Sequence, residues 1–312
     1  MPLDPLCNAA VTTPVPPMPP ATLPELSVQN VLSARARLGE GPLWDGDQQV
    51  LYWVDIFNHR VHVFEPSSGD DCHWNIGDMG SAIALTRRHQ LLVAMGNRIA
   101  SLDLTSGEVK TLQTIEFEAP GTRFNDGKCD PQGRFWVGSI SPQPGTAALY
   151  RYDPDGSVHT METGLTISNG LGWSPDGSTF YLIDSPLRKI YAYRFHSETG
   201  EISDRTVVVD LGNEPVEPDG LAVDNAGNLW TALWDGWCVA CFSPTGEVLG
   251  RVRLPVQRPT CPTFGGPNRQ TLYVTTASVG LSQTEIQQGI YAGDVFAIAA
   301  PVPGPPTHRF GG

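Results

Sequence analysis

The sequence predicts an all-β fold, a six-bladed β-propeller closed by an N-terminal strand in the last blade. Three observations predict it. One phrase recurs six times at steps of 41, 44, 44, 50 and 41 residues: a polar residue, a small apolar run, a turn, then a β-rich run. Four short strands fill a repeat of that length, which is one blade. Glycine (33) and proline (28) make up about a fifth of the 312 residues, which suits a turn-dense β chain and falls short of a disordered or collagen-like one. No long stretch with the apolar period of a surface helix competes with this reading.

Each element follows in order. Residues 1–27 read as a flexible, Pro-rich, partly polyproline tail; the first 24 hold eight prolines and almost no charge. A secretory signal would need a basic stretch and a continuous apolar run, and neither is there. Val28 to Arg37 alternates well enough to be a strand. Ring closure protects exposed edges, so this strand is expected beside Asp294 to Ala299 in the last blade. The blade phrases begin at Glu40, Ser81, Asn125, Asn169, Asp219 and Thr260, and their β-rich runs at Val50, Leu91, Phe135, Phe180, Leu229 and Leu272. A uniform repeat without linkers argues against two β domains, so residues 28–312 read as one propeller domain.

Composition excludes several functions. Acids outnumber bases 33 to 20, a net charge of −13. Such a chain gains nothing from phosphate counterion release or from anionic lipid, so neither nucleic acid nor membrane is an expected partner. No obligate protein partner is evident. No apolar run reaches the roughly 18 residues of a membrane span. The six cysteines (7, 72, 129, 238, 241, 261) show no scaffold spacing. Cys238 and Cys241 form a C-x-x-C on a strand, where i and i+3 face opposite sides. All read as reduced structural thiols in a reducing, cytoplasmic compartment. His59 and His62 face opposite ways by the same rule and read as surface histidines. No G-x-S-x-G elbow and no phosphate-binding G-x-x-x-x-G-K-[ST] is present.

The repeat also carries chemistry. The innermost strand of each blade lines the central channel, so residues at one repeat position face each other around the axis. Glu40, Ser81, Asn125, Asn169, Asp219 and Thr260 are therefore expected as a polar ring at one mouth. Carboxylate and carboxamide oxygens suit a hard divalent ion such as Ca²⁺ or Mg²⁺, and Zn²⁺ or Mn²⁺ would accept them too. The plainer alternative is turn chemistry, since Asn-Asp-Gly, Asn-Gly and Pro-Asp-Gly favour turns. Glu40 is no turn former, and turns do not explain a shared register.

Four phrases now resemble a known family: Leu38-Gly-Glu-Gly-Pro-Leu-Trp-Asp45, Arg123-Phe-Asn-Asp-Gly-Lys128, Ile167-Ser-Asn-Gly-Leu171 and Pro218-Asp-Gly-Leu221. They look like the SMP-30/gluconolactonase/luciferin-regenerating family, as do Pro259 to Gly266 and Ala292 to Ala297. The resemblance covers roughly residues 30 to 312. It implies a metal-dependent hydrolase domain on a six-bladed propeller, with one catalytic divalent cation, Ca²⁺ or Zn²⁺ ahead of Mg²⁺ or Mn²⁺. It implies Glu40, Asn169 and Asp219 as metal ligands, and Arg123 and Asn125 as substrate-binding residues. One departure stands out. Animal members carry a substrate-binding Glu shortly after the third blade's second strand, and Ser139 to Leu149 here holds no acid.

The expected activity is hydrolysis of a sugar lactone to its aldonic acid, with Asp219 as the catalytic residue that orients and deprotonates water. The rival readings are an organophosphate or other ester hydrolase on the same site, a calcium-binding regulatory protein, and an interaction scaffold. The scaffold would not need Glu40, Asn169 and Asp219 in one register.

Overall fold

The computed structural model describes residues 23–88 and 90–311. Residues 1–22, most of the stretch read as a tail, lie outside the described residues. Leu23 within that stretch donates its N–H to Leu249 O at 2.9 Å, and Leu23 and Leu26 pack on the apolar core between the last two blades.

Six four-stranded antiparallel sheets form the blades. Their inner strands are Gly39–Asp45, Gly80–Leu85, Arg123–Cys129, Ser168–Trp173, Glu217–Val223 and Pro259–Gly265. Each inner strand packs against those of the two neighbouring blades, so they close a ring around the axis. The sixth blade is completed by Val28–Leu32, which pairs with Val295–Ala299 in the register Val28↔Ile298. This is the expected closure. Buried Asp294 bolts it, accepting from Asn30 Nδ2 (2.7 Å), Ser33 Oγ (3.1 Å) and Arg35 N (3.1 Å). One six-residue helix, Gln283–Gln288, sits in the last loop of blade six and is capped by Ser282 and Glu285. No helix among the described residues is long and apolar enough to cross a membrane.

Apolar residues on the facing surfaces of adjacent blades form the core, with Trp53, Trp136 and Trp230 among the fully buried side chains. Buried aspartates fix the bend where an inner strand turns outward. Asp224 accepts from Ala226 N, Asn228 N and Asn228 Nδ2, each at 2.9 Å, and from Trp230 Nε1 at 3.0 Å. Asp130 does the same for Gln132 N, Arg134 N, the Arg134 guanidinium and Trp136 Nε1. These aspartates stand five residues after the ring positions of their blades, so one repeat encodes both ends of the inner strand.

Every inner strand carries a β-bulge at its ring position. One extra residue falls between Glu40 and Leu43, Gly80 and Ala82, Phe124 and Gly127, Ser168 and Leu171, Pro218 and Leu221, and Pro259 and Pro262. A bulge re-aims side chains and ends regular pairing, which here opens the strand toward the channel.

Two local readings change with the fold. His62 is not a surface histidine: it is 6% exposed, stacks on Trp53 at 3.9 Å and places Nδ1 2.7 Å from Asp71 Oδ2. The outer strand Asp70–Asn75 covers it, a contact that strand alternation alone does not reveal. His59 lies outside the strand, capping the short turn Ile56–Asn58 in the left-handed conformation. Cys238 and Cys241 are both buried free thiols, and burial pushes the Cys238 thiol up to about 11, which makes it unreactive.

Candidate active site at one mouth of the channel

The six ring positions lie at the starts of the six inner strands, at one end of the channel. Their bonding divides them into two groups. Ser81, Asn125 and Thr260 staple neighbouring blades. Ser81 Oγ donates to Asn125 O (2.8 Å), Asn125 Nδ2 to Ser168 O (3.0 Å) and Thr260 Oγ1 to Gly39 O (2.6 Å). The second group is Glu40, Asn169 and Asp219, all under 9% exposed. Asn169 Nδ2 donates to Ser185 Oγ at 3.0 Å and to Asp219 Oδ1. Ser185 Oγ in turn donates to Pro218 O at 2.7 Å, which fixes the amide's orientation. The only hydrogen bond to the Glu40 carboxylate among the described residues comes from its neighbour Gly41 N (3.1 Å). Two buried carboxylates are thus left with little to neutralise them.

Electrostatics records the result. Burial pushes the Glu40 carboxyl well above the ordinary carboxylate range, and the charges of Asp219 and Asp126 push it further; the Gly41 N–H and Arg123 pull it back. Asp219 is likewise raised, by burial first and then by Asp126, and its bond from Asn169 opposes this. Arg123 stands beside them, half-buried, with Nη1 donating to Phe124 O (2.8 Å) and to Asn125 Oδ1 (3.4 Å). Its other guanidinium N–H groups have no partner among the described residues.

Asp126 belongs to this cluster and was missed in the sequence, where Asn125-Asp126-Gly127 reads as a turn. Its Oδ1 accepts from Gly127 N at 2.7 Å, and its Oδ2 is buried without a partner. Burial raises its carboxyl, while Lys128 and the Gly127 N–H lower it. A signal for it existed. The residue after each ring position is Gly41, Ala82, Asp126, Gly170, Gly220 or Cys261. The axis is crowded there: a Cβ on Gly220 would stand 2.3 Å from Cys261 Sγ, and one on Gly170 2.5 Å from Leu221 N. An acid in so tight a place is not explained by turn chemistry.

The site residues fit a hard divalent cation. Glu40 and Asp219 are crowded like charges, Asp126 Oδ2 is an orphaned buried oxygen, and Asn169 has committed its N–H groups and keeps Oδ1. Among the described residues no three His, Cys, Asp or Glu side chains form a ready-made metal cluster; the third donor here is an amide. A cavity of about 460 Å³ opens at the other end of the channel, bordered by Cys129, Trp173, Phe264 and His308. None of the site residues lines it.

A family model described as "SMP-30/Gluconolactonase/LRE-like region" matches residues 38–278. A pentonolactonase of Haloferax volcanii is 35% identical over 289 residues, covering 91% of this chain and 98% of that protein. Regucalcin of Gallus gallus is 35% identical, covering 92% and 99%. Among solved structures, a calcium-binding protein, regucalcin, from Agrobacterium tumefaciens superposes with a TM-score of 0.88 at 26% identity, covering 92% of this chain and 98% of that one. The chain therefore belongs to the SMP-30/gluconolactonase/LRE-like family of sugar lactonases and their relatives.

Proposed function

We propose that the protein hydrolyses a sugar lactone to its aldonic acid, and that residues 28–312 are the hydrolase domain. Glu40, Asn169 and Asp219 would hold one divalent cation, Ca²⁺ or Zn²⁺ ahead of Mg²⁺ or Mn²⁺. The observation that carries this reading is the pair of under-neutralised buried carboxylates at one mouth, with Arg123 near Glu40. The pentonolactonase relative supports the substrate class. A calcium-binding role without turnover is the second reading, favoured by the regucalcin names. Arg123, with guanidinium N–H groups left unpaired among the described residues, tells against it, because cation binding alone needs no such donor.

When bound, the cation supplies Lewis-acid polarisation of the lactone carbonyl. The chain's own residues do the rest. Asp219 orients the attacking water and takes its proton as the water oxygen joins the carbonyl carbon. The ring acyl–oxygen bond then breaks, the ring oxygen leaves as a hydroxyl with that proton, and the new carboxylic acid ionises to solvent. The free N–H groups of Arg123 hydrogen-bond the substrate hydroxyls or the nascent carboxylate. Asn125 joins Arg123 in bonding the substrate, and its Oδ1 also accepts from Arg123 and holds it in place.

Arg123→Ala is expected to lower kcat/KM by about 10–100-fold without weakening cation binding measured by calorimetry. Loss of the cation in that variant would make Arg123 a structural residue instead.

A second expectation concerns stability. Glu40 and Asp219 are raised, so the folded metal-free protein keeps protons that the unfolded chain releases as pH climbs through the carboxylate range. This contribution to stability is fully present below the ordinary carboxylate range and is lost as pH rises from there through the raised folded values. A cation offsets the same repulsion. Added Ca²⁺ at about 100 times its Kd should stabilise by about 2.7 kcal/mol near neutral pH. The Tm gain should shrink toward zero by about pH 4 as protons compete. A gain independent of pH would place the cation elsewhere.

A further inference from the structure

The third blade's Ser139–Leu149 stretch carries no acid, and its Ser141 and Thr146 hydroxyls are engaged within the blade. Ser141 Oγ lies 2.7 Å from Thr146 Oγ1, and Thr122 Oγ1 donates to Ser141 Oγ at 3.1 Å. The fifth blade supplies a carboxylate instead. Four inner strands begin one residue before the ring position, at Gly39, Gly80, Ser168 and Pro259. The other two reach one residue further up the mouth and begin at Arg123 and Glu217. Arg123 and Glu217 therefore hold the same repeat position in blades three and five, two residues ahead of the ring residues Asn125 and Asp219. Both lie in the regularly paired start of the strand, at Arg123↔Ile140 and Glu217↔Trp234, and the bulge follows in each.

Glu217 is half-buried, and its side chain makes no hydrogen bond or ion pair with the described residues. Its acidic neighbours are all engaged. Glu214 is held by Arg251 at 2.7 and 2.8 Å, and Asp235 by Gln257 (2.8 Å) and Arg258 (2.7 Å). The charge of Glu217 also reaches the Asp219 carboxyl and helps raise it, in keeping with a position above the ring. A partly buried carboxylate without a protein donor is free to accept a hydrogen bond from a ligand.

We propose that Glu217 is the hydroxyl-accepting carboxylate of this site, bonding the ring hydroxyls of a polyhydroxylated lactone from blade five and thereby setting which lactone is turned over. This rests on the lactonase reading and deepens it. Arg123 donates and Glu217 accepts, so the pair matches a substrate that bears free hydroxyls. A plain lactone, ester or organophosphate leaves Glu217 unpaired, and a site built to bond a hydroxyl discriminates against the analogue lacking it.

The test compares an aldono-1,5-lactone with δ-valerolactone, the same ring without hydroxyls, in the cation-loaded full chain. Wild type should prefer the hydroxylated ring. In Glu217→Ala the ratio of the two kcat/KM values should fall about 10–100-fold, chiefly through KM for the aldonolactone, with Glu217→Gln intermediate. Calcium affinity, read by calorimetry, should be retained in both variants. An unchanged ratio overturns the proposal, as does a parallel loss on both lactones that tracks weakened calcium binding, since Glu217 would then act through Asp219. If wild type hydrolyses neither lactone, the lactonase reading itself falls and this proposal with it.

Discussion

Asp219→Ala removes lactone hydrolysis, a fall on the order of 10³-fold or more in kcat/KM, while the propeller stays folded. Asp219 is proposed both to hold the cation and to take the proton from water, so its loss strikes both at once. Asp219→Asn separates the two duties. The amide keeps an oxygen for the cation and the shape of the site, but it cannot accept a proton. Cation binding should survive in weakened form, and turnover should not. The same variant relieves the crowding around Glu40, whose carboxyl the charges of Asp219 and Asp126 raise. Metal-free Asp219→Asn should therefore unfold at a temperature no lower than metal-free wild type. Wild-type-like turnover in either variant would remove Asp219 from the mechanism.

Asp130→Ala has the largest expected effect on stability, and it lies at the far end of the inner strand. Asp130 is 0% exposed and sits between the Arg134 guanidinium and Trp136 Nε1, the latter at 3.0 Å. Arg134 is itself 6% exposed, and its other bonds go to neutral carbonyls such as Ser197 O at 2.7 Å. Deleting the carboxylate strands a buried cation and an indole N–H. Removing one partner of a buried ion pair costs about 3–5 kcal/mol. That is a large share of the roughly 5–15 kcal/mol by which a domain is stable. Asp224→Ala makes the control: its donors are neutral, so about 1–3 kcal/mol is expected. Urea denaturation should rank the two variants in that order. Equal losses would mean that the Arg134 charge finds compensation elsewhere.

The blades were legible because the repeat fixes both ends of each inner strand, ring residue and turn residue, at constant spacing. Closure by Val28–Leu32 followed from the cost of an open edge. The shared register of Glu40, Asn169 and Asp219 was readable for the same reason. Asp126 and Glu217 were not, because alternation assigns faces only where pairing is regular. The bulge at every ring position shifts that parity by one residue, and the Gly and Pro around it imitate turn signals. Pro218-Asp219-Gly220 reads as a turn until the strand is seen to begin ahead of it, at Glu217. His62 escaped because its partners Asp71 and Trp53 come from neighbouring strands, which a periodicity along one strand does not report.

Acid release from a panel of aldonolactones by chelator-stripped protein, with Ca²⁺, Zn²⁺, Mg²⁺ and Mn²⁺ added back in turn, tests the central claim most directly. The expected result is no turnover in the stripped protein and turnover restored by one or more ions, which ranks both ion and sugar. Lactone hydrolysis that persists unchanged after stripping would contradict the cation's role. A cation that binds at the ring without turnover on any lactone would contradict the lactonase itself.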